Sequence, residues 1–195
     1  SATYGLDYMD SKYKAMQVVL EEVKKNSLPA VIVNPTFMFG PYDSTPSSGA
    51  MIVALYKRKV PGFTKGGRNY LCAKDAAVAI ANALTKGRIG ECYILGNENL
   101  SYKEIFTKIA NTVGVKPPSL AIPSFFAKLY GRIGSLTGNL TGNAPAISYP
   151  LARISADEHY YSPAKARKEL DLPQTPVETG IRESFEWLKE NGYLK

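Results

Sequence analysis

Four consecutive apolar residues, Ala30-Val31-Ile32-Val33, constrain this chain most. An unbroken apolar run of strand length suits a strand covered on both faces, as in a parallel sheet between helical layers. It follows a stretch in which Ala15, Val18, Val19, Leu20 and Val23 recur at helical spacing. Asp7 or Asp10 caps that helix, and Asn26-Ser27-Leu28-Pro29 ends it near residue 25. A helix, a short loop and a buried strand make half of a doubly wound unit, which predicts an α/β fold. The chain then reads Asn34-Pro35-Thr36-Phe37-Met38-Phe39-Gly40-Pro41. Pro35 cannot donate a ladder hydrogen bond, so the strand is expected to stop there. The backbone of Thr36, Phe37 and Met38 is then expected to be free for a ligand, beyond the carboxyl end of the strand.

The remaining pattern alternates. Helices are expected over 50–59, 75–85, 101–113, 124–133, 162–170 and 177–191, and short strands over 60–64, 69–72, 91–95 and 119–122. Ser101 and Glu104 form a capping box. Residues 41–49 and 134–150 read as loops rich in Pro, Ser and Gly.

The 195 residues are long enough to bury a substantial core. The net charge of +7 raises the question of nucleic acid or a membrane surface. The lysines and arginines are scattered, however, and read as solvated helix faces. No apolar run approaches a membrane span, and the first eight residues lack the basic start and apolar stretch of a signal peptide. Two cysteines without a CxxC pattern and one histidine, His159, argue against a disulfide framework or a metal site and favour a cytoplasmic setting.

Tyr8 and Lys12 lie one helical turn apart on one face. An ammonium about 4 Å from a phenolate stabilises it by roughly 4 kcal/mol at an effective dielectric near 20. That is enough to draw a phenol from a pKa of about 10 towards neutrality, where it can exchange a proton with a carbonyl oxygen. The spacing alone is weak. Tyr70/Lys74 and Tyr161/Lys165 share it, and with 13 tyrosines about one such pair is expected by chance. Context selects Tyr8/Lys12, the pair on a long helix leading into the buried strand.

Together these two elements resemble the extended short-chain dehydrogenase/reductases, the NAD-dependent epimerase/dehydratase family. That pattern is Tyr-x-x-x-Lys followed, after an interval, by Arg-Pro-x-x-x-x-Gly-Pro. Asn34 stands where many sugar-modifying members carry Arg, which resembles the dihydroflavonol-reductase-like branch. Arg68-Asn69-Tyr70-Leu71-Cys72-Ala73-Lys74-Asp75-Ala76-Ala77, the stretch 87–101 and the closing Lys165-Ala166-Arg167-Lys168-Glu169-Leu170 through Trp187 continue the resemblance.

The resemblance implies the carboxyl-terminal part of a Rossmann-type doubly wound parallel sheet plus a small mixed α/β substrate-binding domain. Residues 1–41 and 69–100 would belong to the Rossmann part, and 42–68 and 101–195 to the substrate region and closing helices. Tyr8 would be the catalytic acid/base and Lys12 its tuner and ribose contact, with Pro35, Thr36, Phe37 and Met38 bordering the nicotinamide. Asp75 is read as structural. The cofactor would be NAD or NADP, NADP being somewhat favoured. The partner would be a small carbonyl compound or a sugar nucleotide, with no nucleic acid or membrane, and a homodimer is allowed.

The family's glycine-rich phosphate turn is expected more than about 100 residues before the catalytic tyrosine. The one glycine cluster here, between Gly131 and Gly138, follows a helix rather than a strand. The chain is therefore expected to be the carboxyl portion of an NAD(P)-dependent ketone or aldehyde reductase of about 330 residues, inactive by itself. The rival readings are a nucleotide-sugar epimerase or dehydratase and a non-catalytic binding or scaffold module.

Overall fold

A computed structural model of the chain describes residues 7–123, 125 and 155–195. The helix before the apolar run is α1 (Asp7–Asn26), and the run continues into β1 (Ile32–Pro35). Then come β2 (Phe37–Phe39), α2 (Gly49–Tyr56), β3 (Gly62–Phe63) and β4 (Gly67–Cys72). They are followed by α3 (Ala73–Lys86), β5 (Cys92–Leu95), β6 (Glu98–Ser101), α4 (Tyr102–Val113) and β7 (Leu120–Ala121). The last elements are β8 (Glu158–His159), α5 (Ala164–Glu169) and α6 (Val177–Glu190). The helix expected over 124–133, the loop over 134–150 and the glycine cluster lie outside the described residues, save Phe125.

The sheets are mainly parallel. β1 pairs with β5, Ile32 opposite Cys92 and Pro35 opposite Leu95. β2 pairs with β4, Phe37 opposite Tyr70 and Phe39 opposite Cys72. β4 also takes β8 in parallel and β6 antiparallel, Asn69 facing Asn99.

Alternation along β4 divides the core in two. Tyr70 joins Phe39, Ile52, Ile105, Ile109, Ile181 and Leu188 under α2, α4 and α6. Leu71 joins Ala76, Ala79, Ala83, Tyr93, Leu95 and Leu170 under α3 and α5. The alanines of α3 let that helix approach the strands closely. Gly180 does the same for α6: a Cβ there would lie 2.7 Å from the Phe39 carbonyl oxygen and 2.9 Å from Cys72 Sγ. The capping box is present, with Glu104 N–H donating to Ser101 Oγ (3.2 Å) and Ser101 N–H to Glu104 Oε2 (2.8 Å).

Three expectations need correction. The strand expected over 69–72 starts two residues earlier, and β6 and β8 appear where the polar Glu98-Asn99 and Glu158-His159 gave no strand signal; both are recruited by the ladder of β4. β1 is half-exposed rather than covered on both faces, because it pairs along one edge with β5 and no described residue of α1 is fully buried. The backbone after Pro35 is not free: Thr36 N–H donates to the Leu95 carbonyl (2.9 Å), and Phe37–Phe39 re-enters a ladder as β2. Pro35 stops one strand, and one residue later the chain switches partners from β5 to β4.

Candidate active site

The carboxyl ends of β1 and β5 lie side by side, and the chain leaves them through Thr36 and through Gly96-Asn97. Asn69 holds both exits. Its Oδ1 accepts hydrogen bonds from the Thr36 hydroxyl (2.9 Å) and from Asn97 N–H (3.0 Å), and its Nδ2 donates to Asn99 Oδ1 (2.7 Å). Beyond Thr36, Phe37 packs edge-on against Phe39 and Tyr70, at 5.5 Å between centroids in each case. The Arg68 guanidinium lies 5.5 Å from the Phe37 ring centroid, and its Nε donates to the Tyr102 hydroxyl (2.8 Å). Met38 turns the other way, into the core around Leu71.

Tyr8 and Lys12 occupy the first turns of α1. Tyr8 is 72% exposed, and Lys12 Nζ lies 5.6 Å from its ring centroid, over the face. Ser11 Oγ donates to the Tyr8 carbonyl (2.8 Å). Among the described residues no hydrogen bond joins Tyr8 or Lys12 to 35–38. The structure therefore brings the amine to the phenol ring, and it brings Thr36 and Phe37 together at the strand end, without a contact between the two groups.

The other two Tyr/Lys pairs are split by the fold. Tyr70 is fully buried in β4, and burial pushes its phenol far above the ordinary value. Its partner by spacing, Lys74, bridges to Glu183 at the surface (2.8 Å). Lys165 turns to Glu91, to the Cys92 carbonyl (3.1 Å) and to the face of Tyr93 (4.5 Å), away from Tyr161. Together with Glu169, which Tyr93 and Arg88 hold below the usual carboxylate range, these contacts fasten α5 to β5.

Asp75 acts as a tether. Its carboxylate is buried and accepts both the Thr175 N–H and the Thr175 hydroxyl, each at 2.8 Å. Burial pushes the Cys72 thiol up to about 11, which leaves it protonated and unreactive at neutral pH. Spacing and periodicity assign no role to Asn69 or Arg68. The signal was there for Asn69: a carboxamide inside an apolar strand needs partners.

A parallel sheet under helices, with a polar cluster where its strands end, defines a Rossmann-type α/β protein. The relatives of the chain agree. No family model matches it. It is 29% identical over 96% of its length to a Synechocystis protein provisionally named a dihydroflavonol 4-reductase, of which it covers 56%. It is 26% identical to sterol demethylase protein B of Methylococcus capsulatus (97% of this chain, 58% of that protein). Against the dTDP-glucose 4,6-dehydratase of Salmonella typhimurium it is 25% identical (94% and 47%). The crystal structure of gox2253 superposes with a TM-score of 0.83 at 30% identity, over 100% of this chain and 60% of that one. A nucleoside-diphosphate-sugar epimerase from Pseudomonas aeruginosa gives 0.79 at 25% identity (97% and 57%). More distant folds include a dTDP-glucose 4,6-dehydratase from Bacillus anthracis solved with NAD (TM-score 0.68, 20% identity, 98% and 56%) and RMD from Pseudomonas aeruginosa solved with NADPH (0.63, 14%, 94% and 56%).

The chain is thus homologous to the dihydroflavonol-reductase-like and dTDP-glucose-dehydratase members of the extended short-chain dehydrogenase/reductases, as its motifs imply. It spans about half the length of the curated relatives it matches.

Proposed function

We propose that this chain is the carboxyl-terminal part of an NAD(P)-dependent oxidoreductase that reduces a ketone or aldehyde, with Tyr8 as acid/base and Lys12 as its tuner. The observation that carries the reading is the Thr36–Phe37 step at the carboxyl ends of a parallel strand pair, where open α/β sheets take ligands. The helix bearing Tyr8 and Lys12 leads directly into the first strand of that pair.

The residues present fit one end of a nicotinamide dinucleotide. Pro35 is exposed, and the Thr36 hydroxyl and the Phe37 ring stand where the strand ends. When bound, the dinucleotide supplies the hydride equivalent; NADP is the form we favour. The Tyr8 hydroxyl gives a proton to the carbonyl oxygen of the substrate. Lys12, on a flexible stem, stabilises the phenolate that remains. Residues 1–41 and 69–100 serve the dinucleotide side, and residues 42–68 and 101–195 supply the substrate region and the closing helices.

A second reading, a nucleotide-sugar epimerase or dehydratase, is favoured by Arg68. Its half-buried guanidinium is oriented by Tyr102 and Phe37 and meets no carboxylate among the described residues, so it can take an anionic substrate group.

Tyr8→Phe in the full-length enzyme tests the first reading. The substitution should lower kcat by about 100-fold or more, in the range of a lost general acid, with little change in KM. An unchanged rate would favour the scaffold reading. Product analysis separates the other two: net NADPH consumption supports a reductase, and retained NAD with no net consumption supports an epimerase.

A further inference from the structure

Asn69 is 1% exposed, in the middle of β4. A buried carboxamide is tolerated only when its groups are matched, and here the match fixes its orientation. Oδ1 faces the Asn97 N–H, which can only donate, and the Thr36 hydroxyl. Nδ2 faces three oxygens: Asn99 Oδ1 at 2.7 Å, the Tyr161 carbonyl at 3.3 Å and the Asn97 carbonyl at 3.4 Å. Asn99 cannot turn its own amide round, because its Oδ1 also accepts Tyr161 N–H (3.1 Å) and its Nδ2 donates to the Tyr161 carbonyl (3.2 Å).

These partners come from four pieces of chain: the exit of β1, the β5–β6 turn, β6 and the segment before α5. Gly96 shows how closely the turn closes on the amide, since a Cβ there would lie 2.2 Å from Asn69 Oδ1.

We propose that Asn69 is a positioning residue whose carboxamide fixes the Thr36–Phe37 step leaving β1, the wall that the nicotinamide end of the cofactor meets. The last clause rests on the function proposed above; the clamp itself does not.

Asn69→Asp separates the two. The carboxylate is nearly isosteric and keeps the acceptor for Thr36 and Asn97, but it places an oxygen against three oxygens. Protonation restores a donor. In the 195-residue chain, NMR protection factors for the Thr36 and Asn97 amides should fall about tenfold or more at pH 7.5, while those of Ile105 and Ile109 in α4 stay unchanged. Protection should return as the pH is lowered, with a midpoint above the ordinary carboxylate range. Unchanged protection at pH 7.5, or a loss that acid does not reverse, would overturn the clamp.

If Asn69→Asp does not fold, Thr36→Val decides instead. It should lower protection at Phe37 and Met38 without affecting α4, and unaltered protection there refutes the clamp. In the full-length enzyme, Asn69→Asp should raise KM for the dinucleotide more at pH 8 than at pH 6, with kcat less affected. A pH-independent KM equal to wild type, alongside lost Thr36 protection, refutes positioning at the cofactor. Should the wild-type full-length protein take no nicotinamide dinucleotide, the proposed function fails, and the protection factors still decide the clamp.

Discussion

Asp75 offers the sharpest stability test, because its buried carboxylate ties α3 to the segment entering α6 through two hydrogen bonds. It is 2% exposed and accepts two hydrogen bonds from Thr175, each of 2.8 Å. It also stands in the first turn of α3, where a negative charge is favoured by about 0.3–1 kcal/mol. Hydrogen bonds to a charged group contribute roughly 1.5–3 kcal/mol each, and the two share one acceptor group, so they do not add fully. Asp75→Ala should therefore cost about 3–4 kcal/mol, much of it from leaving the Thr175 N–H unsatisfied. Asp75→Asn should cost only about 1–2 kcal/mol, since the carboxamide keeps an acceptor for the N–H and the Thr175 hydroxyl can rotate to accept from the new amide. Thr175→Val should fall near the Asn value. Urea unfolding followed by the fluorescence of Trp187 in the 195-residue chain measures all three. An Asp75→Ala variant within about 0.5 kcal/mol of wild type would refute the tether, as would equal costs for Ala and Asn. A catalytic Asp75 would show the opposite pattern, with lost turnover and unchanged stability.

Two further outcomes follow from packing and charge. Gly180→Ala forces a methyl group against the Phe39 carbonyl and Cys72 Sγ and should destabilise by about 1–3 kcal/mol in the same assay, with α6 losing amide protection first. The Ser101 hydroxyl and N–H hold the Glu104 carboxyl below its ordinary value, so that contribution is present above the unfolded carboxylate pKa and is lost as pH falls through the folded one. Stability should therefore decline from about pH 5 downwards, and Ser101→Ala should cost about 1 kcal/mol at pH 7 while flattening that decline.

How much of this was legible in the sequence depends on where a residue's partners come from. The capping box at Ser101 and Glu104 was readable because both halves lie within one helical turn. The apolar run gave β1, and the alanines gave α3, because periodicity reports which faces are covered. The family resemblance was readable in the same way, since its motifs are local. β6 and β8 were not: Glu98-Asn99 and Glu158-His159 are polar, and they become strands only because β4 offers them its ladder. Glu98 is kept in that edge strand by a distant partner, for its Oε1 accepts the Val177 N–H (2.8 Å) at the start of α6, where the preceding Pro176 has no side-chain acceptor to give.

The site divides along the same line. Tyr8, Lys12, Pro35, Thr36, Phe37 and Met38 are the candidates that a spacing and a punctuation mark single out. What the spacing could not give is that Thr36 spends its hydroxyl on Asn69 and its amide on Leu95. Nor could it give that Met38 turns inward while Phe37 supports Arg68. The motif therefore works less as a free loop than as a one-residue gap between two ladders, rigid on both sides. That rigidity has a mechanical meaning for the proposed chemistry. A wall that meets a flat ring must not give way, and Thr36 is the residue in this gap whose amide and hydroxyl are both engaged by other strands. α1 is the opposite case. Its helical face carries the proposed Tyr8/Lys12 pair, yet none of its described residues is fully buried, and Tyr8, Tyr13 and Val18 are exposed. A 20-residue helix draws most of its stability from packing. Of the two halves of the proposed site, the wall at Thr36 is the one whose amide and hydroxyl are held by other strands.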